Sequence, residues 1–133
     1  MRSFTLTVIL VVAVALILLA PKTISHFKYV RTHDTFGKIL VTLDKTLSPD
    51  SGKQYDVAKE TKERFPSVVV KDGKIIDGWG HPIEVSIKET NDRFDVQMKS
   101  PGADGIINTK DDVIREESVM ALPIPLSSPG SSQ

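Results

Sequence analysis

Residues 100–113, SPGADGIINTKDDV, hold the groups in this sequence best suited to chemistry. They carry the carboxylates of Asp104, Asp111 and Asp112, the neutral oxygens of Asn108 and Thr109, and two glycines, Gly102 and Gly105, that let a chain turn its carbonyls inward. A hard cation such as calcium takes about six to eight oxygens at roughly 2.3–2.6 Å from a flexible loop of this kind. The oxygen supply is sufficient. The spacing departs from the helix-loop-helix calcium pattern, because Ile106 and Lys110 fall where that pattern needs oxygen ligands and no glutamate closes the loop. Composition alone leaves two readings open, a calcium loop and a solvated acidic turn, since Asp, Asn and Gly are common in any turn.

The second informative stretch is DGWGHP, residues 77–82. It reads as a tight turn before a strand. Gly78 and Gly80 permit unusual backbone angles, Pro82 stiffens the strand entry, and Trp79 is the large core side chain. His81 is expected at the surface, as neither ligand nor base. An enzyme would need a nucleophile, a base and an orienting group within reach, and the best available cast is Asp77, His81 and the loop aspartates around a hydrolytic metal. Nothing in the spacing selects that cast. There is no G-x-S-x-G, no phosphate-cradling glycine loop and no histidine pair at helical spacing; His26 and His33 lie two turns apart and are expected to be solvated. The chain is therefore expected not to be an enzyme and to take no small-molecule substrate.

The elements that must position these groups follow from patterning. At 133 residues there is room for one domain. The balance of 17 basic against 17 acidic residues gives no basic stripe for nucleic acid, and the absence of cysteine removes disulfides and thiolate sites. Residues 3–20, SFTLTVILVVAVALILLA, are uncharged, and as a helix would span roughly 27 Å, close to a bilayer's hydrocarbon thickness. Residues 1–21 are read as a transmembrane anchor. A cleaved secretory signal is the rival reading, although no clean small-x-small site follows and Pro21 is badly placed for one. Ile24, Phe27, Phe36, Ile39, Leu40, Leu43 and Leu47 then recur at helical spacing, predicting one long helix to about residue 47 that Pro21 or Gly37 can bend. SPDSG at 48–52 ends it, with Asp50 and Ser51 available as caps, and a short helix is predicted from about Gln54 to Arg64. Beyond Pro66 the period becomes two. IEVSIK and RFDVQMK predict an antiparallel hairpin, and SVVVK and KIID predict another around Asp72-Gly73. Residues 118–133, rich in proline and serine, read as a loosely attached tail. The fold class is thus α+β: a long N-terminal helix packed on a small antiparallel sheet, with Phe36, Ile39, Leu40, Leu43 and Leu47 beneath the sheet and Trp79 beside the hairpin.

In this order, the apolar helix that becomes amphipathic, DGWGHP, the hairpin and SPGADGIINTKDD resemble a pseudopilin of the type II secretion system, most closely the major, G-type subunit. The resemblance covers about residues 3–115. It rests on Asp77, Trp79, Gly80 and Pro82 in the turn, and on Gly102, Asp104, Gly105, Thr109, Asp111 and Asp112 in the loop. It implies a pilin-like head over residues 22–117, facing the bacterial periplasm from a single-pass inner-membrane anchor. Other pseudopilin subunits would be its partners through the N-terminal helix, in a pilus-like filament that supports protein secretion. It also implies Ca2+ in the loop, held by the side chains of Asp104, Asp111 and Asp112 and by backbone carbonyls near Pro101, Ile106 and Thr109. Two positions depart from the family pattern. Ser3 stands where the precursor has glycine before its cleavage point, and Val8 stands where the apolar helix has glutamate. An intramembrane carboxylate is costly unless it pairs, and Val8 has none to pair. A second expectation follows from that departure: an anchored calcium-binding module that does not polymerise.

Overall fold

The computed structural model describes residues 2–47, 55–90 and 93–120, with side chains from Val8 onward. Helix α1 runs unbroken over Arg2–Thr46, through both Pro21 and Gly37. At about 1.5 Å per residue it is roughly 67 Å long, more than twice the hydrocarbon thickness of a bilayer. It is one helix long and apolar enough to cross a membrane, and none of its apolar window is buried inside the fold. The helix changes character along its length. From Val8 to Leu19 the large apolar side chains are exposed, whereas Phe36, Ile39, Leu43 and Leu47 are fully buried and Leu40 is half-buried against them. Ile24 and Phe27, which share the apolar spacing in the sequence, stay exposed. The buried stripe instead includes Thr32, Thr35 and Thr42, whose hydroxyls donate to the carbonyls four residues back and so enter the core with their polarity satisfied.

Helix α2 spans Val57–Arg64, a little later than its sequence-based start, because Asp56 is its N-cap and accepts from the Lys59 N–H at 3.0 Å. The Asp50 and Ser51 caps lie outside the described residues. Strands β1 (Val70–Lys71) and β2 (Lys74–Ile75) form the expected short hairpin, with Asp72 and Gly73 both at positive φ, 50° and 72°, as a type I′ turn requires. Strands β3 (Glu84–Thr90) and β4 (Arg93–Ser100) pair antiparallel as the expected hairpin, from Glu84↔Lys99 to Thr90↔Arg93, burying Phe94, Val96 and Met98.

A third strand, β5 (Val113–Met120), was not visible in the sequence pattern. It pairs antiparallel with β4 from Arg93↔Met120 to Ser100↔Val113, giving the order β3-β4-β5. Residues 118–120, grouped by composition with the tail, belong to this strand. Val113 and Val119 join the core from β5, and α1 packs along α2 and β5. The 101–112 loop is thereby fixed at both ends. It leaves β4 at Ser100 and enters β5 at Val113, two residues that are paired in the sheet.

Candidate cation-binding loop and its supporting turn

The turn comes first in the chain and holds the loop in place. Asp77 is buried, with Oδ1 accepting from the backbone N–H groups of Trp79, Gly80 and His81, each at 2.8 Å. Its Oδ2 accepts from the Ser100 hydroxyl at 2.6 Å, and that hydroxyl oxygen accepts in turn from the Gly102 N–H at 3.2 Å. One carboxylate therefore satisfies four donors and ties the turn to the first residues of the loop. On the other side, the Gly78 N–H donates to Thr32 Oγ1 at 2.9 Å, and a Cβ at Gly78 would lie 2.1 Å from the Lys28 carbonyl oxygen. Only glycine permits that approach, so the turn is locked against α1. Trp79, expected as the large core side chain, is only half-buried, packed against the margin of the core.

His81 is not the solvent-facing residue expected of a lone histidine in a turn. Its Nδ1 lies 2.9 Å from the Gly102 carbonyl oxygen, and a Cβ on Gly105 would come within 2.9 Å of its Nε2. The imidazole fills the space beneath the loop, with Gly102 and Gly105 folded over it at φ of 66° and 73°. No local sequence signal marks this contact. His81 meets Gly102, 21 residues on, only once β3 and β4 pair.

Within the loop each of the three aspartates accepts from a backbone N–H of the loop itself. Asp104 N–H donates to Asp111 Oδ2 at 3.0 Å, while Asp104 Oδ1 accepts from the Ile106 N–H at 2.8 Å. Asp112 Oδ2 accepts from the Asn108 N–H at 2.8 Å and pairs with the Lys99 ammonium at 3.3 Å. The Thr109 hydroxyl lies among oxygens: 2.7 Å from Asp111 Oδ1, 3.1 Å from the Ile106 carbonyl and 3.4 Å from Asp112 Oδ1. Thus Asp111, Asp112 and the Ile106 carbonyl, three of the expected ligands, approach one point. Asp104 is joined to it through the backbone. Thr109 contributes its hydroxyl there, while its carbonyl accepts from the Asp112 N–H at 3.4 Å. Pro101 is buried at the loop's entrance. Among the described residues no three His, Asp or Glu side chains converge as a metal-ligating group. The donor set is nevertheless all hard oxygen, with acceptors crowded around a single hydroxyl and one ammonium, which fits a hard cation rather than a soft one.

The electrostatics agree with that composition. The Thr109 hydroxyl and the Asp104 N–H hold the Asp111 carboxyl down to about 2, so it is ionised at any ordinary pH. At Asp112, burial pushes upward, but the Asn108 N–H and the Lys99 ammonium outweigh it and the net direction is down. Both carboxylates are therefore charged, and both already meet donors within the loop. Compared with known proteins, the chain matches no family model, no curated sequence and no solved structure.

Proposed function

We propose that the protein is a structural subunit of a type II secretion, type IV pilus-like pseudopilus: α1 anchors it in the bacterial inner membrane, and the α+β head lies in the periplasm with calcium in the 101–112 loop. The observation that carries this reading is the single unbroken helix, bare and apolar from Val8 to Leu19 and core-forming from Phe36 to Leu47. A helix of that kind presents one half to lipid or to neighbouring helices and uses the other as the spine of a small sheet domain. The loop aspartates support the calcium part. Asp104, Asp111 and Asp112, with carbonyls near Pro101, Ile106 and Thr109, would hold the ion, which would neutralise a crowded acidic segment and fix it against the His81 and Ser100 contacts. On this reading the protein has no catalytic role.

Val8 favours a second reading, an anchored calcium module that stays monomeric, because the apolar half of α1 offers no carboxylate for a neighbour's amino terminus. The natural sequence has no cysteine, so single cysteines are clean probes. With Leu16→Cys or Val12→Cys in native membranes, oxidation should give a disulfide-linked dimer if the helices pack side by side. A monomer at every position along the helix would favour the module. The mass of the extracted chain decides processing, since an intact Met1 excludes cleavage before Phe4.

A further inference from the structure

The sheet order β3-β4-β5 leaves β3 at an edge, paired with β4 alone. Just before it, the Ile83 N–H donates to the Ile75 carbonyl of β2 at 2.8 Å, so at Ile83 the side away from β4 is taken. Backbone polarity alternates along a strand. Val85, Ile87 and Glu89 therefore turn their N–H and C=O groups to that same side, where they meet no other backbone among the described residues. Beside this edge lies an open groove of about 570 Å³ against α2 and β2, lined by Tyr55, Val57, Ala58, Ile75, Ile83 and Val85. Its charged lining residues, Asp56 and Lys74, are of opposite sign, and Asp56 caps α2. Tyr55, Val57 and Val85, with Ile87 next on the same face of β3, are only half-buried against the core. The groove suits an apolar, uncharged, extended segment.

Such a segment follows β5 in the sequence. Residues 121–126, ALPIPL, lie outside the described residues; they are uncharged, and Pro123 and Pro125 alternate with Leu122, Ile124 and Leu126. Proline has no N–H, so as a strand this stretch can pair along one side only, the side to which Leu122, Ile124 and Leu126 turn their backbone groups. Three pairing residues thus stand against three on β3. The same alternation puts the three large side chains on one face, and opposite Val85 and Ile87 that face is the groove's. The chain's own tail cannot lay them there. Met120 is opposite Arg93, which is opposite Thr90, so reaching the outer side of β3 means crossing three strand spacings, roughly 14 Å. At about 3.3 Å per residue that crossing consumes residues 121–124. The tail of a second copy is under no such limit.

We propose that residues 122–126 of one copy add as a strand to the free edge of β3 in a second copy, with Leu122, Ile124 and Leu126 over the groove. The contact joins heads and takes nothing from α1, so it goes beyond the filament packing proposed above and its test can fail separately.

The test is a mixed disulfide between differently tagged full-length copies in native membranes. One copy carries Glu89→Cys, at an exposed position that spares the core, and the other carries Leu122→Cys or Leu126→Cys. Residues that exchange ladder bonds lie about 5.5 Å apart at Cα, within disulfide reach. Oxidation should join Glu89→Cys to Leu122→Cys for an antiparallel added strand and to Leu126→Cys for a parallel one. Adding Ile124→Pro to the tail removes the central N–H and should cut that product about tenfold, whereas Pro123→Ala with Pro125→Ala should leave it within about twofold. No mixed disulfide with either tail variant would overturn the proposal. So would a product that Ile124→Pro leaves undiminished, since that marks collision without strand pairing. Leu16→Cys dimers in the same membranes distinguish the failures. With those dimers and no head product, helix packing stands and strand addition falls; with the head product alone, strand addition stands and helix packing falls.

Discussion

The turn at 77–82 and the loop at 100–113 both depend on aspartate, yet the residue does opposite work in the two. In the turn, Asp77 is buried and meets four donors, three backbone N–H groups and the Ser100 hydroxyl, so its charge is consumed by the fold. In the loop, Asp111 has only the Thr109 hydroxyl and the Asp104 N–H, and Asp112 competes for that same hydroxyl beside the Asn108 N–H and the Lys99 ammonium. A carboxylate whose donors match its lone pairs is a structural part. Carboxylates whose acceptors outnumber the donors in reach are what a cation would complete. The difference lies in the supply of N–H and O–H groups and not in the residue type.

That contrast is sharpest at Asp77. Asp77→Ala strands four donors in the interior, each costing about 1–3 kcal/mol when unsatisfied, so the head should lose about 4 kcal/mol or more in denaturant melts of the full chain in micelles. Asp77→Asn keeps one carbonyl acceptor and should lose clearly less; equal losses would break the assignment of Oδ1 as the main acceptor. Gly78→Ala drives a methyl to within 2.1 Å of the Lys28 carbonyl and should cost about 3 kcal/mol by prying the turn off α1. A neutral result there would mean that the turn does not rest on the helix.

At the loop the expected effects are smaller and depend on the ion. Asp111→Asn should lower the calcium-free melting point only modestly, by forfeiting what the ionised carboxylate contributes through the Thr109 hydroxyl and the Asp104 N–H, and should remove most of the response to added calcium, the reverse of the pattern at Asp77. His81→Ala lies between the two regions. It should lower stability by about 1 kcal/mol, through loss of the Gly102 contact, while the calcium response persists. The smallest effect is on acidification. Because the Asp111 carboxyl is held down to about 2 against an ordinary 3.8, its contribution is present above about pH 4 and is lost as pH falls toward 2. A calcium-free melt of Asp111→Asn should lack that part of the acid slope.

Periodicity exposed much of this architecture before any coordinates. The 3.6-residue spacing of Phe36, Ile39, Leu43 and Leu47 marked the buried stripe of α1, and Asp72-Gly73 marked the type I′ turn. Strand β5 escaped because Arg115, Glu116 and Glu117 fill its middle. At the edge of the sheet only Val113 and Val119 need burial, so the alternation is too sparse to read. The threonines at 32, 35 and 42 were missed as core because their polarity is cancelled by their own helix. In the site, the loop's oxygen chemistry was legible from composition. The dependence of the loop on the turn was not, since Asp77, His81, Ser100 and Gly102 meet only after β3 and β4 bring residues more than twenty positions apart into contact.

The most direct test of the calcium clasp is the melting temperature of the full chain in detergent, with calcium and after chelation, for wild type and Asp111→Asn. At free calcium near 100 times the dissociation constant, binding adds about 2.7 kcal/mol, and a domain of this size gains about 4–8 °C per kcal/mol. Wild type should therefore melt about 10–20 °C lower on chelation and recover when calcium is restored, while Asp111→Asn stays put. A wild-type melting temperature that ignores calcium would contradict the clasp.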